Sequence, residues 1–198
     1  MRRSSSSLGV FFARATAWFL VLTLLWLQVS PWTSYPASGI THIFLEYGAK
    51  DWVRKIHKVP GQLQAETRIK VSIPGQGQAE LIIEVDPARS AYGLPLFFAL
   101  LFAACSHHLF WRALAGYVLL LIPQSFSLIF DILKQIIVAG GNPAYLGVAS
   151  WQLEAIALGF QFGSLVLPTL APVALWLWLD RDFFEAVLMD KWLRKTTI

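Results

Sequence analysis

"ATAWFLVLTLLWLQVSPW", Ala15 to Trp32, decides the class of this chain, because it runs without a single charged side chain and is apolar almost throughout. At about 1.5 Å per residue such a helix is about 27 Å long, close to the roughly 30 Å hydrocarbon core of a bilayer. Arg2, Arg3 and Arg14 precede it, and Trp32 stands where an interface anchor belongs. The same charge order would suit a secretory signal, but no small residues stand at a cleavage spacing after Val29. The run therefore reads as a retained first span.

The whole composition agrees. Of 198 residues 56% are hydrophobic and only 14% charged, with nine tryptophans and 14 phenylalanines, and the mean hydropathy is +0.56. An ordinary soluble domain does not look like this. One cysteine excludes an internal disulfide, and the net charge of +4 is of the size that serves orientation at membrane edges. No phosphate-binding loop, zinc-protease helix, nucleophile elbow or nucleic-acid module is present, so no cofactor, metal or nucleic-acid partner is expected.

After Thr33 the hydropathy falls, and residues 33–90 read as a small water-facing α+β domain. In "LQAETRIKVSI", Leu63, Ala65, Thr67, Ile69, Val71 and Ile73 alternate with Gln64, Glu66, Arg68, Lys70 and Ser72. That is a strand with one wet face. "PGQGQ" supplies a turn and "AELIIEVD" resumes the alternation, which predicts an antiparallel hairpin over 62–86. An isolated hairpin is marginal in water and needs a cover. Ile40, Ile43, Phe44, Tyr47, Trp52 and Ile56, at near-helical spacing, are the residues expected to provide it or to lie along the bilayer surface.

Three more spans follow, over 91–106, 113–138 and 158–179, joined by a turn at 107–112 and a connection at 139–157, and a charged amphipathic tail occupies 180–198. The expected fold is thus an α-helical integral membrane protein with four transmembrane helices. Arg2, Arg3, Arg14, Arg112, Arg181, Lys191, Arg194 and Lys195 fall on one side, whereas the connection has no Lys or Arg. The positive-inside rule then puts both termini in the cytoplasm and the hairpin domain outside. That domain carries seven basic and six acidic residues, a near balance that does not oppose translocation.

The turn segment "ACSHHLFWR" sets Cys105 beside His107 and His108. Adjacent histidines project in different directions, and no third group is placed to orient a thiolate–base pair, so the turn reads as structural and no catalytic residue is assigned. Other polar groups lie within or beside the spans. Gln124 follows Pro123, which frees the carbonyl of Leu119. Gln161 lies between Gly159 and Gly163, a small-xxx-small pair suited to close helix contact. Asp131, Lys134 and Glu154 are expected to form a bracing network at the extracytoplasmic ends of the third and fourth spans, or, in a sharper version, a proton path or substrate clamp. Pro95 falls in the first turn of its span, and Pro168 and Pro172 interrupt the fourth.

"IIEVDPARSAYGLPLFFALLFA" (Ile82 to Ala103) and "WQLEAIALGFQFGSLVLPTLAPVALWLWL" (Trp151 to Leu179) resemble the exosortase H-associated membrane proteins. "YGLPL", with Tyr92 and Pro95, and the double proline of "LPTLAP" carry the likeness, which extends over most of the chain; "VDPARSA" is more polar than the family pattern leads one to expect. The resemblance implies a bacterial inner-membrane protein working beside an exosortase, a multi-pass cysteine enzyme that recognises C-terminal sorting signals on exported proteins. It implies an accessory, non-catalytic role beside a multi-pass membrane partner, the exosortase, in addition to the membrane lipid that the apolar spans require, and it says nothing of oligomeric state. Two other readings stay open: a small membrane enzyme or transporter using the polar residues, and an accessory of pilin or surface-polymer export.

Overall fold

The computed structural model describes residues 8–59, 61–73, 77–104, 108–141 and 146–181. Cys105, His107, Arg2, Arg3 and the tail beyond Arg181 lie outside the described residues. Along the chain run α1 (Leu8–Thr33), α2 (Tyr35–Gly48), β1 (Val53–Val59), β2 (Gln62–Ile73), β3 (Gly77–Val85), a 3-10 turn (Pro87–Ser90), α3 (Gly93–Ala103), α4 (Leu109–Gly140), α5 (Ser150–Gln161), a π-helical segment (Phe162–Val166) and α6 (Leu167–Leu179). Three helical stretches, Gly9–Gly48, Leu109–Gly140 and Ser150–Leu179, are long and apolar enough to cross a membrane. The expected second span is the exception. It is a helix of 11 residues, about 16 Å long, half a hydrocarbon core. The last span also differs from expectation, because "WQLEAIA" belongs to α5 rather than to the connection before it.

The contacts divide into two compact units. The first comprises Met1–Gln28, Gly93–Leu120 and Thr169–Ile198, and aromatic rings hold it. Phe11 stacks on Trp176 at 5.6 Å between centroids, and Trp18 meets Phe102 edge-on at 5.2 Å. Phe97 is fully buried against Gly116, where any side chain would enter the ring's space. Pro95 is buried in the first turn of α3, where its missing N–H has no helical acceptor to lose. Pro172, inside α6, is buried here too. Arg112, near the start of α4, donates to Asp180 at 2.6 Å, and Asp180 is only 3% exposed. Removing one partner of such a pair leaves an uncompensated charge, a loss on the order of 3 kcal/mol.

The second unit comprises Val29–Tyr92 and Leu121–Pro168. Its centre is a three-stranded antiparallel sheet in the order β1-β2-β3, with Ile56 opposite Ala65, and Ala65 opposite Ile83. The expected hairpin is present and β1 is added to it. Val53, Ile56, Leu63, Ala65, Ile83 and Val85 turn inward against Leu45 of α2 and against Leu128, Ile129, Ile132 and Ile136 of α4. Those four α4 positions form one helical stripe, so α4 is the larger part of the cover. The outer face is polar and internally paired: Arg54 with Glu80 at 3.3 Å, His57 with Glu66 at 3.1 Å, and Gln64 donating to Glu84 at 2.9 Å. Where the β2–β3 register shifts between Glu66 and Lys70, the Thr67 hydroxyl donates to Leu81 O at 2.8 Å and fills the gap in the ladder.

The expected cover differs in face as well as in extent. Ile40, Ile43, Phe44 and Tyr47 are 43–72% exposed, while Ala37, Ser38, Thr41 and Leu45 are buried. The inward face of α2 is small and polar because it packs closely on α4. Thr41 donates to Ser125 O at 3.4 Å and the Ser125 hydroxyl returns a bond to Ala37 O at 3.3 Å. Ser34 and Ser38 satisfy their hydroxyls on the carbonyls one turn back, so the face buries no unpaired hydroxyl against α4.

Candidate functional site

The site grows from a proline. Pro168 has no N–H, so the carbonyl of Ser164 four residues earlier loses its usual helical donor. Just before it, the N–H of Leu167 bonds to Phe162 O, five residues back, which gives the π-helical turn. The carbonyl of Gly163 is thereby left without either ordinary donor: Leu167 has been diverted and residue 168 is proline. Side chains make up the loss. The Ser127 hydroxyl on α4 lies 2.6 Å from Gly163 O and 2.8 Å from Pro123 O, sharing its one proton between them. The Tyr92 hydroxyl donates to Ser164 O at 3.1 Å. Gly163 is glycine for a matching reason, since an added Cβ would lie 2.9 Å from the Cα of Ser127.

Beside this turn lies a cleft of about 540 Å³, within the ordinary range for ligand sites. α4 contributes Ser127, Leu128, Asp131, Lys134 and Gln135, which recur at helical spacing on one face. The end of α5 and the π turn contribute Phe160, Gly163 and Ser164. The end of the sheet and the 3-10 turn supply Gln62, Glu84, Val85, Asp86, Arg89 and Ser90. Three acidic and two basic residues thus line it, although the Glu84 carboxylate is turned to the outer face of the sheet beside Gln64.

They do not neutralise one another. Among the described residues, no ion pair joins any of the five. Asp131 accepts from Gln135 at 3.2 Å; Lys134 lies over the Phe160 ring at 4.1 Å from its centroid; Asp86 caps the 3-10 turn through Ala88 N at 2.9 Å; and Glu84 takes the Gln64 amide. Asp131 and Lys134 are half-buried and Glu84, Asp86 and Arg89 are exposed; the first two and the two sheet-end acids each have a neutral partner.

Of the residues singled out in the sequence, Asp131, Lys134 and Gly163 line the cleft, and Tyr92 and Pro168 meet at its π turn. Others do not. Glu154 is exposed on α5 outside the cleft, so the expected Asp131–Lys134–Glu154 network does not form. Gln161 is exposed rather than bonded across the glycine contact, because the helix turns it away from the face carrying Gly163. Gly159 receives the ring of Phe130. Gln124 is buried at 5% exposure, and its Oε1 has no donor among the described residues. Glu84, Asp86 and Arg89 were not foreseen; the charged "VDPARS" just ahead of a span was the available signal. No group of three or more His, Cys, Asp or Glu suited to a metal ion occurs among the described residues.

A family model described as exosortase H-associated membrane protein aligns with residues 5–183. No curated protein matches, and no solved structure does.

Proposed function

The chain belongs to the family of exosortase H-associated membrane proteins, and from that premise we propose that it is a non-catalytic accessory subunit of an exosortase-type protein-sorting system in the bacterial inner membrane. The weak packing of the first span carries the reading. Only 6% of its apolar window is buried, against 39% for α4 and 22% for the α5–α6 stretch. Trp18, Phe19, Leu20, Leu24, Leu25 and Leu27 are exposed, a surface offered to lipid and to the helices of another protein.

In this reading the sheet and the cleft face the extracytoplasmic side. Arg14, Arg112 and Arg181 mark the cytoplasmic end, and residues 141–157 contain no Lys or Arg. The short α3, with its flanks, completes a fourth crossing and keeps both termini inside. The gathering of basic residues toward one side supports that count.

Photo-crosslinking residues at Leu20 and Leu24, followed by purification in a mild detergent, test the proposal. A specific adduct with the co-expressed exosortase is the expected result. Adducts with lipid alone, from a chain that purifies without any multi-pass partner, would overturn it. The five unneutralised charges favour a second reading, a small membrane enzyme or transporter. It requires Asp131→Ala and Lys134→Ala to abolish function at unchanged protein levels while the exosortase adduct is absent.

A further inference from the structure

The cleft has a depth as well as a chemistry. The apolar stretches Leu109–Gly140 and Ser150–Leu179 have 32 and 30 residues, about 48 and 45 Å as helices, so each exceeds a hydrocarbon core of roughly 30 Å by about 15 Å. Asp131 stands 9 residues before Gly140 and Phe160 stands 10 residues after Ser150, about 14 and 15 Å from those ends. With the excess on that side, the cleft residues come to headgroup level.

Groups of both signs wait there without pairing. Lys134 is drawn onto the Phe160 ring instead of folding back onto Asp131 one turn away. Arg89 is exposed on the 3-10 turn, and Glu84 and Asp86 stand beside it. A ligand bearing only negative charge would meet the carboxylates of Asp131 and Asp86, and one bearing only positive charge would meet two cations. A ligand carrying both, a few ångströms apart, answers every group.

We propose that this cleft holds a phosphoethanolamine group, the headgroup of a zwitterionic aminophospholipid of the surrounding leaflet. Lys134 and Arg89 take the phosphate, and Asp131 with Asp86 takes the ammonium, whose N–H donors a choline lacks. The proposal does not depend on the exosortase reading; it would hold for a chain working alone.

The test uses the full chain in nanodiscs containing equal ethanolamine, choline and glycerol phospholipids, with retained lipid identified by native mass spectrometry. The ethanolamine lipid should be enriched by about tenfold, the factor a charge-assisted hydrogen bond is worth. Asp131→Asn should abolish that preference and leave total phospholipid retention intact. Arg89→Gln, which alters an exposed side chain and spares the fold, should lower retention of all three lipids together. Lys134→Gln should do the same, with thermal stability measured in parallel. Equal retention of the three lipids by the unaltered chain would overturn the proposal, as would an ethanolamine preference that survives both Asp131→Asn and Arg89→Gln. Displacement by soluble glycerophosphoethanolamine at equal concentration would overturn the lipid as source, and a polypeptide captured by a photo-crosslinker at Gln62 would assign the cleft to a protein segment instead.

Discussion

Gly159 and Gly163 look equivalent in the sequence, two small residues at small-xxx-small spacing, but the structure separates them by what each one faces. At Gly159 the neighbour is the ring of Phe130, which is half-buried and packed on Phe126 at 4.5 Å between centroids and has to be displaced. At Gly163 it is the backbone of Ser127, and only a shift of α4 makes room. Both changes overpack, at about 1–3 kcal/mol, and Gly163→Ala should lower stability more than Gly159→Ala, because a side chain gives way more readily than a helix backbone. Thermal denaturation of the two variants in detergent checks the order. Equal losses would mean that the Ser127 contact is not the constraint. Single-residue spacing could show that the glycines permit approach but not what approaches. The same holds for Asp180, which reads as the first residue of a charged tail and is in fact the buried partner of Arg112, 68 positions away.

At the scale of elements, the π turn ties together two stretches that look unrelated along the chain. The carbonyls freed around Pro168 are served by Ser127 and Tyr92, so the hydroxyls and the proline should act as one system. Ser127→Ala leaves a buried carbonyl without its donor and should cost about 1–3 kcal/mol. In a Pro168→Ala background the restored N–H lets the helix return to ordinary register, and the same substitution should cost markedly less. A double-mutant cycle measures that difference, and strict additivity would show that the proline is not the origin of the orphaned carbonyls. The hairpin and the long helices were legible because period-two alternation and unbroken apolar runs are strong signals. β1 was not. Val53 and Ile56 are three apart, a helical spacing, and both reach the core because the β1–β2 register shifts between Val53 and Lys55. The face of α2 was misjudged for a different reason: apolar residues beside a membrane have lipid to face as well as a core, so periodicity locates the helix without saying which side turns in.

Over the whole chain, hydropathy and alternation identified a helical membrane protein with a small antiparallel sheet, whereas the cleft was only half legible. Asp131 and Lys134 could be picked out on one helix, but their companions Glu84, Asp86 and Arg89 arrive from a segment more than 40 residues earlier, and only tertiary folding brings them in. The number of crossings turns on α3, whose 11 residues are too few for a regular span. Vectorial labelling decides it. With Cys105→Ser as background, Lys55→Cys puts a thiol on the exposed side of β1 and Arg181→Cys puts one just past α6, both at exposed positions. If α3 completes a fourth crossing, an impermeant maleimide applied to intact cells labels Lys55→Cys at once and reaches Arg181→Cys only after permeabilisation. Labelling of both thiols in intact cells would mean that α3 completes no crossing, an outcome opposed by the packing of Leu128, Ile132 and Ile136 on the sheet, which keeps the far half of α4 on the sheet's side. Labelling of Arg181→Cys alone would invert the whole arrangement: the sheet would lie in the cytoplasm, where it could not meet proteins being sorted outside, and the accessory role would fall with it.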